Sequence, residues 1–216
     1  MDIVWHGHAC FRLRGREASV VTDPYDRSTG YPPLKLAADV VTISHVHPHH
    51  AHTGAVTAAS DRVRQVDGPG EYEVAGTLIE GVPTYRDKQR GKTLGKNTAY
   101  MIHLDDLSVC HLGALAHTLN SNQIETLKDA DVLLVPVGGG TTLDAATAAE
   151  VVSQLEPRLV IPMYYGTPSE ELDSVDRFCK ELAASEVVPQ QKLTVTKSSL
   201  PDEMRLILLT PPEAKR

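Results

Sequence analysis

Short runs of alternating or continuous apolar residues fill the first half of the chain: DIVWHG, ACFRLRG, SVVTDP and, after the proline-rich YPPLK, DVVTISH. Each ends in Gly, Asp-Pro or a charge cluster, as strands do. VRQVDGPGEYEVAGTLIEGVPTY then alternates apolar and polar residues between glycine-containing turns and reads as a meander. NTAYMIHL and LSVCHLG read as a hairpin across Asp105-Asp106. From Asn120 the period changes. NSNQIETLKD predicts a short helix capped by Asn120 or Ser121, and DVLLVPVGGG a buried strand ending in a glycine loop. LDAATAAEVVSQLEP is the clearest helix, with Asp144 placed to cap it and Pro157 to stop it. LVIPMYYG reads as another buried strand, SVDRFCKELAAS as a helix, and LTVTKSS with MRLILLT as a closing hairpin. Strands first, then helices alternating with strands, predict two sheets with outer helices.

Composition narrows this picture. The 216 residues, 41% of them hydrophobic, suit a single domain over residues 1–216. A formal charge of -7 argues against partners such as nucleic acid or an anionic membrane surface. No apolar run approaches the length of about 18 residues that a spanning helix needs. The start, MDIVWHGHACFRL, places polar residues where a signal peptide is apolar. Cys10, Cys110 and Cys179 are too scattered for a disulfide framework or a cysteine zinc site. The expectation is a cytoplasmic protein, with the ends and the Asp87–Lys96 loop as its mobile parts.

The densest chemistry lies in SHVHPHHAHT, which holds His45, His47, His49, His50 and His52, half of the chain's ten histidines. On an extended segment residues i and i+2 point the same way, so His45 and His47 can share a metal, and His50 can join after a turn. Neutral imidazole is a good ligand for Zn, Fe or Mn. The competing reading is a solvated histidine-rich loop.

HGHACFRL, VTDPY, SHVHPHH, GPGEYEVAGTLIEGVPTY, CHLGALAH, VPVGGG and VIPMYYGT, in this order from Met1 to Thr167, resemble the metallo-β-lactamase fold. Its ascorbate-phosphate-lactonase-like and Zn-dependent hydrolase branch is the most similar. The resemblance implies an α/β protein built as an αββα four-layer sandwich, with its site at the edge where two sheets meet. It places the first metal's ligands at His45 and His47 and a second-metal ligand at His50. The family's other ligands fall on changed residues: an aspartate on His49, a histidine on Arg86, the bridging aspartate on Ala114 and the last histidine on Tyr164. His8 and Asp23 match positions beside the site, where Asp23 orients a histidine through its second nitrogen.

These changes share a chemical direction. A bridging carboxylate holds two cations about 3.5–4 Å apart around a shared water, and Ala114 has no ligand atom. Arg86 brings a permanent charge where a lone pair is needed. The Tyr164 phenol keeps its proton, with an ordinary pKa of about 10. The expectation is a degenerate hydrolase homologue without a two-metal centre, a non-catalytic or much-reduced hydrolase that binds an anionic small molecule or a protein partner around His8, Asp23, Arg86, Ala114 and Tyr164. A residual metal position would use His45, His47, His49 and His50, holding no metal or one divalent ion, zinc foremost. The alternative is a mononuclear metal-dependent hydrolase of a small ester, lactone or phosphoester, its third ligand drawn from His49, His50 or His111. His111 and His117 otherwise read as satisfied polar residues at a strand end. VPVGGGTTLDAA lacks the lysine of a phosphate loop, and no G-x-S-x-G is present. DKQRGKTLGK reads as a solvated loop, or as a lip for an anionic ligand.

Overall fold

The computed structural model describes residues 1–168, 171–184 and 186–211. Strands β1 (Asp2–Gly7), β2 (Cys10–Arg14) and β3 (Ser19–Thr22) come first, then β4 (Leu36–Ala38), β5 (Val40–Ile43), β6 (Val56–Ala58) and β7 (Arg64–Asp67). Next are β8 (Gly70–Val74), β9 (Thr77–Tyr85), β10 (Lys96–Leu104) and β11 (Leu107–His111). Helix α1 (Ser121–Leu127), β12 (Val132–Pro136), α2 (Ala145–Leu155), β13 (Leu159–Met163) and α3 (Val175–Glu181) alternate, followed by β14 (Leu193–Thr194) and β15 (Arg205–Leu206). One sheet has the order β14-β1-β2-β3-β5-β7 and the other β15-β13-β12-β11-β10-β9-β8, while β4 and β6 pair by themselves.

Side-chain alternation explains the layers. In β10, Tyr100 and Ile102 face the first sheet and pack with Trp5, Leu13 and Val20, whereas Ala99 and Met101 face Val151, Leu155 and Phe178 of the helices. Successive residues point to opposite faces, so a strand covered on both sides is apolar at nearly every position. β12 obeys the same rule, with Val132 and Leu134 on one side and Leu133 and Val135 on the other. A third cluster joins Cys10, Val21, Val41 and Ile43 to Leu36, Ala38 and Val56 of the β4–β6 pair. The four layers are therefore helices, sheet, sheet and a cover in which the short β4–β6 pair is the regular element. Local signals act as expected at α1, where Asn120 and Gln123 form a reciprocal cap, and at α2, where Asp144 accepts the Thr147 N–H at 2.8 Å. Asp105 and Asp106, at φ 53° and 63°, make the tight turn of the β10–β11 hairpin. α3 ends before Ser185, which lies outside the described residues.

Two expected pairings differ. The proposed meander is divided: β7 lies parallel to β5 in one sheet, while β8 pairs with β9 in the other. The chain changes sheets between Asp67 and Gly70, using φ of 120° at Gly68 and 144° at Gly70, values that suit glycine. A Cβ on Gly81 would run into the Gly68 carbonyl at this crossing. The closing hairpin is also absent. β14 adds antiparallel to β1, and β15 adds parallel to β13 in the opposite sheet. Each sheet has an edge whose backbone groups need partners, and that requirement outweighs the pairing of sequence neighbours. Among the described residues no helix is long and apolar enough to cross a membrane.

Candidate functional site

Six chain segments meet at one edge of the two sheets, following β1, β3, β5, β9, β11 and β13. They bring His8, Asp23, Ser44–His50, Arg86, Ala114 and Tyr164 to strand ends. Three of these residues are left-handed without being glycine: His8 at φ 52°, Asp23 at 41° and Tyr164 at 57°. Such conformations persist only where neighbours hold them, and they gather at ligand sites. The holding contacts are evident here. The His8 carbonyl accepts both Trp5 Nε1–H and Tyr164 N–H at 3.1 Å, joining the ends of β1 and β13. Asp23 N–H donates to Thr42 O at 2.9 Å.

Asp23 decides which nitrogen of two imidazoles carries the proton. Its carboxylate accepts the Ser44 amide (2.7 Å), the Ser44 hydroxyl (2.5 Å) and His50 Nδ1–H (2.7 Å). Because Ser44 gives its proton to Asp23, its oxygen must accept from His45 Nδ1–H at 3.0 Å. Both imidazoles therefore keep a lone pair on Nε2, and both Nε2 atoms are buried without a hydrogen-bond partner. His111 follows the same logic with its nitrogens reversed. Nε2–H donates to Ala9 O at 2.9 Å, and the buried Nδ1 has no hydrogen-bond partner.

The outer histidines have different roles. His47 Nδ1 accepts His49 N–H at 3.2 Å, which puts the proton of a neutral His47 on Nε2. Ser28 donates to Asp26, so its oxygen receives His49 Nε2–H at 2.9 Å. The rings pack closely: His45 and His50 have centroids 4.1 Å apart, His47 and His49 4.7 Å, and His8 and His50 4.8 Å. The Tyr164 ring lies edge-on to His8 at 4.1 Å and stacks on His50 at 5.7 Å. Burial is the main reason that His8 and His50 titrate far below an ordinary histidine. Arg86 is the next cause at His50. His45 is held down to about 2 by burial and then by His50, with Arg86 adding to the shift and Asp23 opposing it. Burial pushes the Asp23 carboxyl upward against the pull of His111, His45 and Ser44. The inner imidazoles are neutral at pH 7.

Ala114 is fully buried and offers only a methyl group; its N–H donates to Asn97 Oδ1 at 2.8 Å. Asn97 also donates to Thr84 Oγ1 and Leu112 O, bracing the turn after β11. Gly113, at φ 58°, lets this turn press on Ser44: a Cβ there would lie 2.5 Å from the serine Cβ. Arg86 is half-buried, donates from Nη1 to Leu94 O at 3.3 Å, and has a buried Nε with no hydrogen-bond partner. His117 lies away from the histidine cluster, accepting Tyr85 N–H and donating to Thr118 O. Ser44 and Asn97 escaped the sequence reading. The only signal for Ser44 was its place before His45, and Asn97 had none.

A β-lactamase superfamily domain matches residues 2–164. The chain belongs to the metallo-β-lactamase superfamily. Its relatives include a UPF0173 protein of Pyrococcus abyssi, 31% identical over 186 residues, a match covering 77% of this chain and 84% of that one. A UPF0173 metal-dependent hydrolase of Thermoplasma volcanium is 27% identical over 192 residues, with the same two coverages. Among solved structures, a candidate Zn-dependent hydrolase of the metallo-β-lactamase superfamily from Thermotoga maritima superimposes with a TM-score of 0.79 at 37% identity, covering 96% of this chain and 97% of that one.

The relatives' names make a metal the natural occupant of a metallo-β-lactamase site, and the donors here can be tested against that role. His45 and His50 present buried Nε2 lone pairs with the other nitrogen anchored, as metal-binding imidazoles do. His111 adds a buried Nδ1, its Nε2–H held by Ala9 O. Among the described residues no three His, Cys, Asp or Glu side chains converge to hold a metal ion. Ala114 has no donor atom, and Asp23 is engaged by Ser44 and His50. The residues do not fit a paired-metal centre.

Proposed function

We propose that this chain is a hydrolase homologue of the metallo-β-lactamase superfamily that has lost the two-metal centre and serves as a binding protein for an anionic small molecule. The observation that carries this reading is the donor set: anchored imidazole nitrogens remain on His45, His50 and His111, while a methyl, a phenol and a guanidinium stand at three of the expected ligand positions. A two-cation centre needs a bridging oxygen donor, and a fixed positive charge at a ligand position repels the cations. Arg86 supplies the positive charge of the site instead, and its charge is felt at both His45 and His50. The inward lone pairs accept hydrogen bonds and do not attract an oxyanion, so Arg86 is the attractive group.

The test is metal stoichiometry, by elemental analysis of untagged protein equilibrated with zinc and then desalted. Less than one equivalent is expected. Two equivalents would refute the proposal, and one would favour a mononuclear hydrolase. Replacing His49→Asp, Arg86→His, Ala114→Asp and Tyr164→His together should raise binding to two equivalents, while each change alone does little because ligands of one centre act as a unit. A folded quadruple variant without zinc would mean that more than these four side chains has changed.

A further inference from the structure

The cavity that Arg86 lines has an unusual roof. Asp87, the first residue of the basic loop, accepts four backbone N–H groups: Gln89 (2.8 Å) and Gly91 (2.8 Å) on Oδ1, Thr93 (2.9 Å) and Leu94 (2.7 Å) on Oδ2. Arg86 N–H donates to Gly95 O at 3.1 Å, and Gly95 N–H returns to Gly91 O. A segment expected to be mobile is thus tied to one carboxylate. The same segment carries Arg86, Lys88, Arg90, Lys92 and Lys96, five cations in a chain of net charge -7. Some cations elsewhere on the surface find partners, such as Arg177 with Asp173 and Lys197 with Asp131. Among the described residues none of these five makes an ion pair.

Like charges this close repel, and an unrestrained loop would spread them apart. Asp87 prevents that with backbone contacts, leaving the side chains available. Beneath the loop lies a cavity of about 260 Å³ between Arg86, Lys88 and the Gly139–Leu143 turn. A second cavity, of about 450 Å³, shares Asp87, Lys88 and Thr147 with it and extends along Tyr85, Arg90 and His117. Two carboxylates also line the cavities: Asp144, which caps Thr147 and lies in the field of Lys88, in the first, and Glu150 in the second. The Arg86 Nε–H is buried and lacks an acceptor within the protein.

We infer that these joined cavities bind a phosphate-bearing small molecule, its phosphate between Arg86 and Lys88 and its remainder along Tyr85 and His117, with Asp87 holding the loop in shape. This rests on the anion-binding reading above and moves the anion from the histidines to the cavity beside them. A phosphate suits several convergent cations better than a carboxylate does, because it carries more charge and more acceptor oxygens.

The experiment is calorimetric titration of the full chain with inorganic phosphate, pyrophosphate and acetate at constant ionic strength. Phosphate and pyrophosphate should bind and acetate should not. Arg86→Ala and the exposed Lys88→Ala should each weaken phosphate binding at least about tenfold, the loss expected for one charge-assisted contact. Asp87→Ala should weaken it similarly and also speed hydrogen exchange at Gln89, Gly91, Thr93 and Leu94, whose amides lose their acceptor. Equal binding of acetate would overturn the phosphate assignment. Phosphate binding that survives both Arg86→Ala and Lys88→Ala would overturn the location. Failure of every anion to bind would sink this inference and the anion-binding function together, while zinc stoichiometry would still decide separately whether the two-metal centre is lost.

Discussion

Ser44 links the two inner histidines to one carboxylate, so a single hydroxyl has consequences for each. Ser44→Ala removes a donor from buried Asp23 and an acceptor from His45 Nδ1–H. Leaving buried groups unsatisfied in this way should lower stability by about 1–3 kcal/mol in urea unfolding. It should also release His45 from its Nδ1–H form, which nitrogen-15 NMR of the imidazoles reads directly. An unchanged His45 signal would show that Ser44 does not set the proton's place. His50, bonded straight to Asp23, should keep its tautomer in the same spectrum. The chemistry at this scale follows from proton positions, and residue type alone does not reveal them.

At the scale of elements, glycines mark where the backbones of two segments come together. Gly81 lies in β9 beneath the segment that carries the chain from one sheet to the other, and a Cβ would meet the Gly68 carbonyl. Backbone cannot rotate aside as a side chain can. Gly81→Ala should therefore cost about 1–3 kcal/mol. Gly54, with no atom near its Cβ direction, is the control, and Gly54→Ala should change the urea midpoint little. Similar losses for the two variants would remove the close approach as the cause. α2 provides an independent check: Asp144→Ala removes the Thr147 cap and should cost about 1 kcal/mol. That cap was legible in LDAATAAEVV because capping depends on residues three apart. The Asp87 turn was not, because nothing in DKQRGKTLGK specifies that four amides will face one carboxylate.

For the whole molecule, buried imidazoles govern the response to acid. Burial, reinforced by Arg12, holds His6 down to about 4, and burial with its neighbours holds His45 down to about 2. His8, His50 and His111 are lowered as well, again chiefly by burial. An unfolded histidine titrates near about 6.5. These groups therefore favour folding fully above that pH, and their contribution is lost as pH falls towards the folded values. Asp23 opposes them: with a raised folded pKa, its contribution is present below the ordinary aspartate value and lost as pH rises through the folded one. Between about pH 6.5 and 4 the histidines outnumber it, so the urea midpoint should fall across that interval. His6→Gln, outside the cluster, should flatten part of the slope. A midpoint that stayed level would mean the imidazoles are accessible to protons in the fold.

Strand alternation, caps and the Asp105-Asp106 turn could all be read from the chain. Each is written in the identity or spacing of nearby residues, where backbone geometry is local. Tertiary structure decided the rest. The strands of VRQVDGPGEYEV divided between two sheets, and LTVTKSS and MRLILLT went to opposite edges, because exposed edges took whichever strand satisfied them. The lone pairs of the inner histidines depend on Asp23, 27 residues from His50, and the inner nitrogen of His111 depends on Ala9, 102 residues away. Contacts across such distances are made by packing, and hydrogen-bond polarity is settled only once donors and acceptors have been brought together.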